Sequence, residues 1–362
     1  MQNRQLGKAV LILLVIVLIV VRLVYAKPFL VPLTFAAILS MLLLPIARWL
    51  ESKKIGRAIA TLLSILVLIG IFAGLIWFIS WQISDLASDA GKIEQQVSSK
   101  AQQLRMYVST QLGIPPEKQQ QILKQQQQSA PGQMSAMITG FLSGLGTLLT
   151  NTLLVLVYIF LLIYFRTHLK QFVIKLVRKE EQPNTVKIIN NTQKVVQKYL
   201  TGLALMIISL WIMYGIGFSI AGVKNAIFFA ILCGVLEIIP FVGNLVGTLT
   251  TMGVSLVQGG NINIIIGIAI TYGLVQFIQS YIIEPLVVGA EVNINPLFTI
   301  VGIVAGEMVW GIPGMILAIP LLGIAKIISD NVEPLKPFGF LIGKNKGKDN
   351  KGFGEKIKGW FK

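Results

Sequence analysis

Residues that serve as catalytic bases, nucleophiles and metal ligands are scarce in this chain. Its 362 residues include one cysteine, Cys233, and one histidine, His168. A single cysteine excludes an internal disulfide, and its position inside an apolar run favours a buried structural role. A single histidine excludes motifs in which two histidines hold one metal ion, and the chain lacks the Walker A sequence of an ATPase. We therefore expect neither an enzyme nor a bound metal or cofactor.

Charged residues are also scarce. Only 13% of the residues are charged, against 54% hydrophobic residues and a mean hydropathy of +0.76. A soluble domain of this size carries more charge and a smaller apolar fraction. The composition therefore predicts an all-α, polytopic integral membrane protein.

Long apolar runs predict about eight transmembrane helices, since a bilayer core about 30 Å thick requires about 20 apolar residues in a helix. The runs are Ala9–Tyr25, Phe29–Leu50, Ala58–Trp81, Ile138–Phe165, Leu203–Gly222, Ala226–Val257, Ile262–Ile283 and Leu297–Ile328. The first run also resembles a signal peptide. However, Arg22 within it and the second run directly after it favour a retained helical hairpin.

These runs divide the chain into six segments. They are three transmembrane helices in residues 1–81, an external helical segment in 82–134, a fourth transmembrane helix in 135–165, a basic cytoplasmic amphipathic segment in 166–200, a four-span core in 201–330 and a basic cytoplasmic tail in 331–362. The external segment repeats apolar residues at spacings of three, four and seven, as an amphipathic helix does. It packs on its own membrane domain or pairs with another copy of the chain, and both alternatives stay open.

Basic residues number 31 against 15 acidic residues, and most of them lie in alternate loops. Loops rich in lysine and arginine stay on the cytoplasmic side of a membrane. We therefore expect a multi-pass protein of the cytoplasmic (inner) membrane with both termini in the cytoplasm. The charge is dispersed over separate loops without an aromatic-rich soluble domain, which does not favour nucleic-acid binding.

Two of the long apolar runs contain helix-breaking residues near their middle. One break extends from Glu237 to Asn244 and includes Pro240, and the other includes Gly311 and Pro313. Interrupted helices persist in a bilayer only where protein or water partners the freed backbone groups. The two breaks therefore predict a transport path built from broken helices. Glycines spaced by four permit close helix packing, and they occur as Gly70/Gly74, Gly140/Gly144, Gly243/Gly247 and Gly302/Gly306.

Glutamates stand out in residues 201–325, which contain a single lysine. An ionisable group inside a transmembrane helix is costly unless it faces a cavity or a partner, so each one is a functional candidate. Glu237 lies beside the carbonyl that Pro240 frees, an arrangement that can bind a cation or a proton. Glu307 precedes Pro313 in a similar manner. The alternative for both is an acid that is protonated or hydrogen-bonded inside a helix bundle.

Two further acids, Glu284 and Glu291, lie close to Pro285 and Asn295 in the sequence. We expect this stretch at the external membrane interface, because it separates the last two predicted spans. A structural role is a stronger alternative for these two acids than for the other pair.

Several motifs in a fixed order resemble those of a known membrane-protein family. They are Tyr199-Leu-Thr-Gly202, the break from Gly234 to Gly243, Glu284-Pro285 with Gly289, Asn295-Pro296-Leu297, and Gly311-Ile-Pro313-Gly314 with Ala318-Ile-Pro320. The chain resembles the autoinducer-2 exporter family, also called the PerM-like permeases, from approximately Leu6 to Leu335. The resemblance implies an eight-span inner-membrane protein that exports a small polar signal or exchanges cations for protons.

Three residues depart from the pattern of that family. Asn244 stands where a proline often follows the glycine, Glu284 where glutamine is common, and Asn295 where histidine is frequent. Because of these additional polar and acidic groups near the expected path, a cation stays an alternative to a signal molecule as the substrate.

Our hypothesis from the sequence is a secondary transporter of the exporter type, coupled to ions or protons, in which a glutamate alternates between a proton and a cation or solute. The candidate pathway residues are Glu237, Pro240, Gly243, Asn244, Glu284, Asn295, Glu307 and Pro313, with Glu307 opposite Glu237. The alternatives are a sodium (cation)/proton antiporter and a membrane scaffold that transports nothing. The expected partners are membrane lipids, a small polar solute, protons or sodium ions, and further copies of the chain in a homo-oligomer, for which a pentamer is our hypothesis.

Overall fold

The computed structural model describes residues 2–88, 152–240, 242–284 and 293–344. In these residues the chain is almost entirely helical, and an isolated β-bridge joins Ile294 and Gly343. Most of the predicted external segment lies outside the described residues, as do Glu291 and the end of the basic tail. The described part confirms the predicted all-α class.

The described helices are numbered α1 to α12 in chain order. They are α1 (Gln2–Tyr25), α2 (Lys27–Ser52), α3 (Arg57–Ser88), α4 (Thr152–Tyr164), α5 (Arg166–Lys175), α6 (Gln182–Ile220), α7 (Ala226–Leu236), α8 (Val242–Val257), α9 (Ile262–Ile278), α10 (Pro296–Trp310), α11 (Ile312–Asn331) and α12 (Lys336–Ile342). A π-helical turn (Gln279–Ile283) continues α9, and 3₁₀ turns at Lys179–Glu181 and Glu333–Leu335 lead into α6 and α12.

Five of these helices are long and apolar enough to cross a membrane: α2, α3, α6, α9 with its π turn, and α11. A sixth span forms if α4 and α5, which meet at a bend of 68°, are counted together. Large apolar side chains on the outer faces of the helices are exposed, for example Leu66, Ile212 and Leu274. Because lipid tails are as apolar as these side chains, such faces suit a bilayer. The polytopic membrane-protein class is therefore confirmed.

The predicted sixth span, residues 226–257, is a hairpin of two shorter helices. In one straight helix Cys233 and Gly247 would lie about 21 Å apart, since each residue adds about 1.5 Å. A Cβ atom on Gly247 would instead meet the Cα atom of Cys233 at 3.0 Å. The chain therefore reverses between α7 and α8, and the absent side chain of Gly247 lets the two backbones approach.

The predicted eighth span, residues 297–328, reverses in the same way between α10 and α11. Gly311 joins the two helices with a φ of 69°, which favours glycine over other residues. A Cβ atom on Gly314 would lie 1.9 Å from the carbonyl oxygen of Gly306, so these glycines bring the helices into backbone contact. The predicted breaks are present at both positions. At each of them the chain turns back, so that the two halves of the run pack side by side.

Helix α6 is 39 residues long and is the common neighbour of both hairpins. Toward its end, Tyr214 packs in one apolar core with Phe229 of α7 and Ile268 of α9. Nearer its start, Val196 packs in a separate core with Leu317 of α11. The two hairpins therefore lie against different parts of the same helix.

The start of α10 lies beside the end of α12, so both lie on the same side of the membrane. The backbone N–H of Asn295 donates to the carbonyl of Ile342 at 2.8 Å, and that of Lys344 donates to Asn293 at 3.0 Å. The predictions of an external Asn295 and a cytoplasmic tail cannot both hold. They conflict because the chain reverses at Gly311 between Asn295 and the tail, whereas the eight predicted spans place a single crossing there.

An ion pair holds the α4–α5 bend against the end of α2. Arg166, the first residue of α5, donates from Nη1 to Oε1 of Glu51 at 2.8 Å and from Nη2 to Oε2 at 2.5 Å. Arg57 lies 3.9 Å from the same carboxylate through its Nε atom. Because a two-point arginine–carboxylate contact fixes both position and angle, it orients α5 relative to α2.

Candidate functional site

The tip of the α7–α8 hairpin places Glu237 beside α6 and α9. Helix α7 ends at Leu236, and Glu237 follows as its capping residue. Pro240 lacks an N–H and cannot continue the helix, so the chain turns here. The N–H of Gly243 donates to the carbonyl of Ile239 at 3.1 Å as α8 begins. A Cβ atom on Gly243 would lie 1.7 Å from the carbonyl oxygen of Leu236, so this turn requires glycine.

Glu237 forms its side-chain hydrogen bond with Gln279, the first residue of the π-helical turn. The Nε2 atom of Gln279 donates to Oε1 of Glu237 at 2.6 Å and lies 4.0 Å from the sulfur of Met206 on α6. Gln279 is only 5% exposed. Within the described residues, Oε2 of Glu237 and Oε1 of Gln279 are buried and accept no hydrogen bond. Two adjacent side chains therefore present unused acceptor oxygens at the tip.

Asn244 connects the hairpin to α6 and α9 through a second polar group of side chains. The hydroxyl of Tyr214 on α6 donates to Oδ1 of Asn244 at 2.7 Å. The Nδ2 atom of Asn244 donates to Oε1 of Gln276 on α9 at 2.8 Å. Asn244 is 3% exposed and Tyr214 is fully buried. Since buried polar groups with partners hold a unique arrangement, Asn244 fixes the hairpin against its two neighbours.

A row of polar side chains continues from Asn244 along α8, and the sequence analysis missed it. The row consists of Asn244, Thr248, Thr251 and Ser255, none of which is more than 3% exposed. Their spacings of four, three and four place them on one face of a helix. The opposite face is apolar and exposed, as at Leu249. The spacing of these polar residues inside an apolar run was the sequence signal from which the row could have been predicted.

Two predicted site residues lie at a different place, near the end of α9 and the start of α10. Asn295 caps α10, because its Oδ1 atom accepts a hydrogen bond from the N–H of Leu297 at 3.0 Å. Glu284 is exposed and follows the π-helical turn directly. The geometry gives Asn295 a structural task at a helix start, and among the described residues Glu284 makes no side-chain hydrogen bond with Glu237 or Gln279.

The second break positions Glu307 and Pro313 away from Glu237. Glu307 is exposed on α10, and Pro313 lies in the first turn of α11. Next to the break, the indole of Trp310 donates to the carbonyl of Leu23 on α1 at 3.1 Å. Among the described residues, no hydrogen bond or ion pair joins this tip to Glu237. The structure therefore brings Pro240, Gly243 and Asn244 close to Glu237, but not Glu307.

The family of this chain follows from its sequence over nearly its whole length. Residues 10–333 match the AI-2E family transporter model. The chain belongs to the AI-2E transporter family. Membership agrees with the apolar helices and indicates a membrane transporter or permease rather than an enzyme.

Curated relatives in the AI-2E family share about a quarter of their residues with this chain. The Bacillus subtilis protein named "Putative transport protein YrrI" is 23% identical over 83% of this chain and 86% of its own length. The protein named "Putative transport protein YueF" from the same organism is 27% identical over 84% of each chain. A protein of Borreliella burgdorferi named "Putative transport protein" is 29% identical over 52% of this chain and 53% of its own length.

Proposed function

We propose that this AI-2E family protein is a secondary transporter of the cytoplasmic membrane that exports a small polar solute, with Glu237 as the group that exchanges protons. The observation that carries the proposal is the Glu237–Gln279 pair at the tip of a hairpin between apolar helices. Carboxylates in such surroundings are costly and serve transport or proton exchange in many membrane proteins.

The unused oxygens at the tip supply the binding chemistry. Glu237 Oε2 and Gln279 Oε1 are acceptors without a donor among the described residues. A solute with hydroxyl or amino groups, a proton or a small cation would satisfy them. Gln279 holds the carboxylate through a neutral amide, which leaves the negative charge of Glu237 free to be neutralised by what it binds.

The mechanism that we propose links the charge of Glu237 to the position of the hairpin. A protonated Glu237 is neutral and stays in the apolar bundle at a low cost, whereas an ionised Glu237 needs a cation, a polar solute or water. Exchange of a proton for such a ligand at the tip therefore couples the transport of protons to the transport of the cation or polar solute. The Asn244 contacts to α6 and α9 are the ones that rearrange when the tip moves.

Cation/proton antiport is the second candidate function, and the paired acceptor oxygens favour it. Small hard cations prefer carboxylate and amide oxygens as ligands. Residues 201–325 contain one basic residue, Lys224, so few cationic side chains are available there to compete for Glu237. In this version sodium takes the place of the polar solute at the same two side chains.

The basic loops support a topology with both termini in the cytoplasm, and we propose that the protein works as a homo-oligomer in the lipid bilayer. The pentamer remains our hypothesis for the number of copies. The molecular mass of the detergent-solubilised complex tests that number directly.

Purified protein in proteoliposomes tests the proposed function. A dye inside the vesicles reports proton movement after addition of autoinducer-2 or after an imposed sodium gradient. We expect one of the two ligands to move protons in the wild type, Glu237→Gln to abolish that movement, and Glu307→Gln to retain it, since Glu307 is exposed. Full coupling in Glu237→Gln would remove Glu237 from the mechanism. Absence of movement in the wild type with either ligand would favour the scaffold alternative.

A further inference from the structure

Buried side-chain oxygens that lack a hydrogen-bond partner cluster around a single helix of the described structure. They are Oε2 of Glu237, Oγ1 of Thr248, Oγ of Ser255, Oε1 of Gln258 and Oε1 of Gln279. Thr248 and Ser255 belong to the polar row of α8, Glu237 and Gln279 lie at the tip of the hairpin, and Gln258 follows the end of α8. The unsatisfied oxygens therefore occur at the tip, within the polar row and beside the open end of the hairpin.

The polar row is long enough to connect these two ends. Asn244 and Ser255 are separated by eleven residues, which corresponds to about 16 Å along a helix. The row faces α7, because Oγ1 of Thr251 lies 3.9 Å from the sulfur of Cys233. Thr248 and Ser255 are each 3% exposed, so neither hydroxyl reaches lipid or solvent from its position.

Buried hydroxyl and amide oxygens without protein partners indicate water at these positions. Native proteins leave very few such groups unpaired, and ordered water is the usual partner where protein supplies none. Lipid supplies no hydrogen bonds. An apolar residue would fill each of these positions without this cost, as it does on the opposite face of α8 at Leu249.

We propose that water enters the α7–α8 hairpin at its open end beside Gln258 and forms a single file along the polar row as far as Glu237. This inference extends the proposed function, because it supplies the route by which protons reach Glu237. Along the file each water or hydroxyl oxygen accepts one proton and releases another. Glu237 is then the only group whose charge changes, and no further reactant is needed.

The close packing of α7 on α8 restricts what the file can carry. A Cβ atom on Gly247 would be 2.9 Å from the sulfur of Cys233 and 3.0 Å from its Cα atom. Backbones at this distance leave no room for a polar solute between α7 and α8 beside Cys233. The hairpin interior therefore conducts protons, and the polar solute reaches the tip by another route.

The native chain contains a built-in probe of this file. Cys233 is its only cysteine and lies beside Thr251, midway along the row. Silver ions react with thiols that water reaches, and they are small enough to follow a water file. Wild-type protein in vesicles is therefore treated with silver ions from outside, and the unreacted thiol is then alkylated in denaturant and measured by mass spectrometry.

Matched variants without the native cysteine provide the comparison. In a Cys233→Ala background, Ser255→Cys and Thr248→Cys report on the row, and Leu249→Cys reports on the lipid-facing side of the same helix. We expect the native thiol and both row cysteines to react at least about tenfold faster than Leu249→Cys, because thiol reactivity depends on access to water and on ionisation. Equal or slower reaction of the native thiol would overturn the water file.

These measurements distinguish a failure of the water file from a failure of the proposed transport function. Silver labelling requires no transported solute, so rapid reaction of Cys233 supports the file even if Glu237→Gln retains proton coupling. Loss of coupling in Glu237→Gln together with an unreactive Cys233 would leave the transporter proposal standing and reject the file. Wild-type protein needs no substitution for the main measurement, so misfolding of a variant cannot obscure the result.

Discussion

Gln279, the first residue of the π-helical turn that continues α9, donates a hydrogen bond of 2.6 Å to the carboxylate of Glu237 at the tip of the α7–α8 hairpin. An amide is a suitable partner for a carboxyl group that changes its protonation state. Its nitrogen donates to the ionised form, and its oxygen, which has no donor within the described residues, can accept from the protonated form. A lysine or arginine in the same position would hold Glu237 permanently ionised.

Replacement of this amide by an ammonium group should therefore stop proton exchange. We expect Gln279→Lys to reduce proton-coupled flux to less than about a tenth, since a buried ion pair favours the ionised carboxylate by more than the 1.4 kcal/mol that corresponds to tenfold. Dye-reported proton movement in proteoliposomes measures the effect. Gln279→Glu gives a second test, because its acid can share a proton with Glu237 and should retain part of the flux. Unchanged coupling in Gln279→Lys would contradict the proposed role of the pair.

The contact between Tyr214 and Asn244 should contribute measurably to stability. We expect Tyr214→Phe and Asn244→Ala to destabilise the protein individually, and a double-mutant cycle to give a coupling energy of about 1 kcal/mol, typical of hydrogen bonds between membrane helices. Unfolding of the solubilised protein by denaturant provides the free energies. Tyr214→Phe retains the ring that packs against Phe218, so the lost hydroxyl is the main change. A coupling energy near zero would show that this hydrogen bond does not hold the hairpin.

The positions of the two breaks could be predicted from the sequence, but the direction of the chain after each break could not. Pro240 and Pro313 are local signals, because a proline removes a backbone donor wherever it stands. Reversal depends on contacts between residues far apart in the chain, such as Cys233 with Gly247 and Gly306 with Gly314. The glycine spacing indicated close helix packing but did not indicate which helix would be the packing partner. In both hairpins the partner is the helix formed by the other half of the same apolar run.

The site residues also fall into those that the sequence could predict and those that it could not. Glu237, Gly243 and Asn244 stood out because they interrupt an apolar run, and they lie together in the structure. Gln276 and Gln279 did not stand out, since two amides three residues apart near a helix end are common in any sequence. Their task is visible only once α9 lies beside the hairpin. The conflict between the sides predicted for Asn295 and for the tail has one source as well, because the side assigned to a segment depends on how many times the chain crosses the membrane.

Glycine at the second hairpin should be far less replaceable than glycine on an open helix face. Gly314→Ala would put a Cβ atom 1.9 Å from the backbone oxygen of Gly306, so α10 and α11 must separate. We expect a loss of about 1–3 kcal/mol, as for other overpacked sites. Gly253→Ala is the matched control, because nothing lies within 4 Å of the new methyl group on α8. There we expect no loss, since alanine favours helix over glycine by up to about 1 kcal/mol.

Thermal unfolding in detergent compares these two variants under one condition. A loss in Gly314→Ala without a loss in Gly253→Ala would confirm backbone contact in the α10–α11 hairpin. Equal stability of the two variants would mean that α10 and α11 are further apart than the structure has them.

The ion pair at the α4–α5 bend should stabilise the protein more than an exposed pair elsewhere in the same chain. The side chains of Arg166 and Glu51 are only 18% and 22% exposed, so Glu51→Gln leaves a partly buried guanidinium without its counter-charge. We expect a loss of about 1 to 2 kcal/mol in the free energy of unfolding. Glu333, which pairs with Lys336, has a side chain that is 83% exposed. Because water and salt screen exposed pairs, Glu333→Gln should cause no measurable change.

Denaturant unfolding at low and high salt separates the two cases. The loss in Glu51→Gln should persist at high salt, since the two side chains are only 18% and 22% exposed and bulk ions screen them less than an exposed pair. The bend itself should also loosen, because Arg166 is the residue through which α5 is tied to the end of α2. Faster tryptic cleavage at Lys170 or Lys175 in Glu51→Gln, with no change in Glu333→Gln, would show that loosening. Identical cleavage and stability in the two variants would mean that apolar packing, rather than the ion pair, sets the 68° angle between α4 and α5.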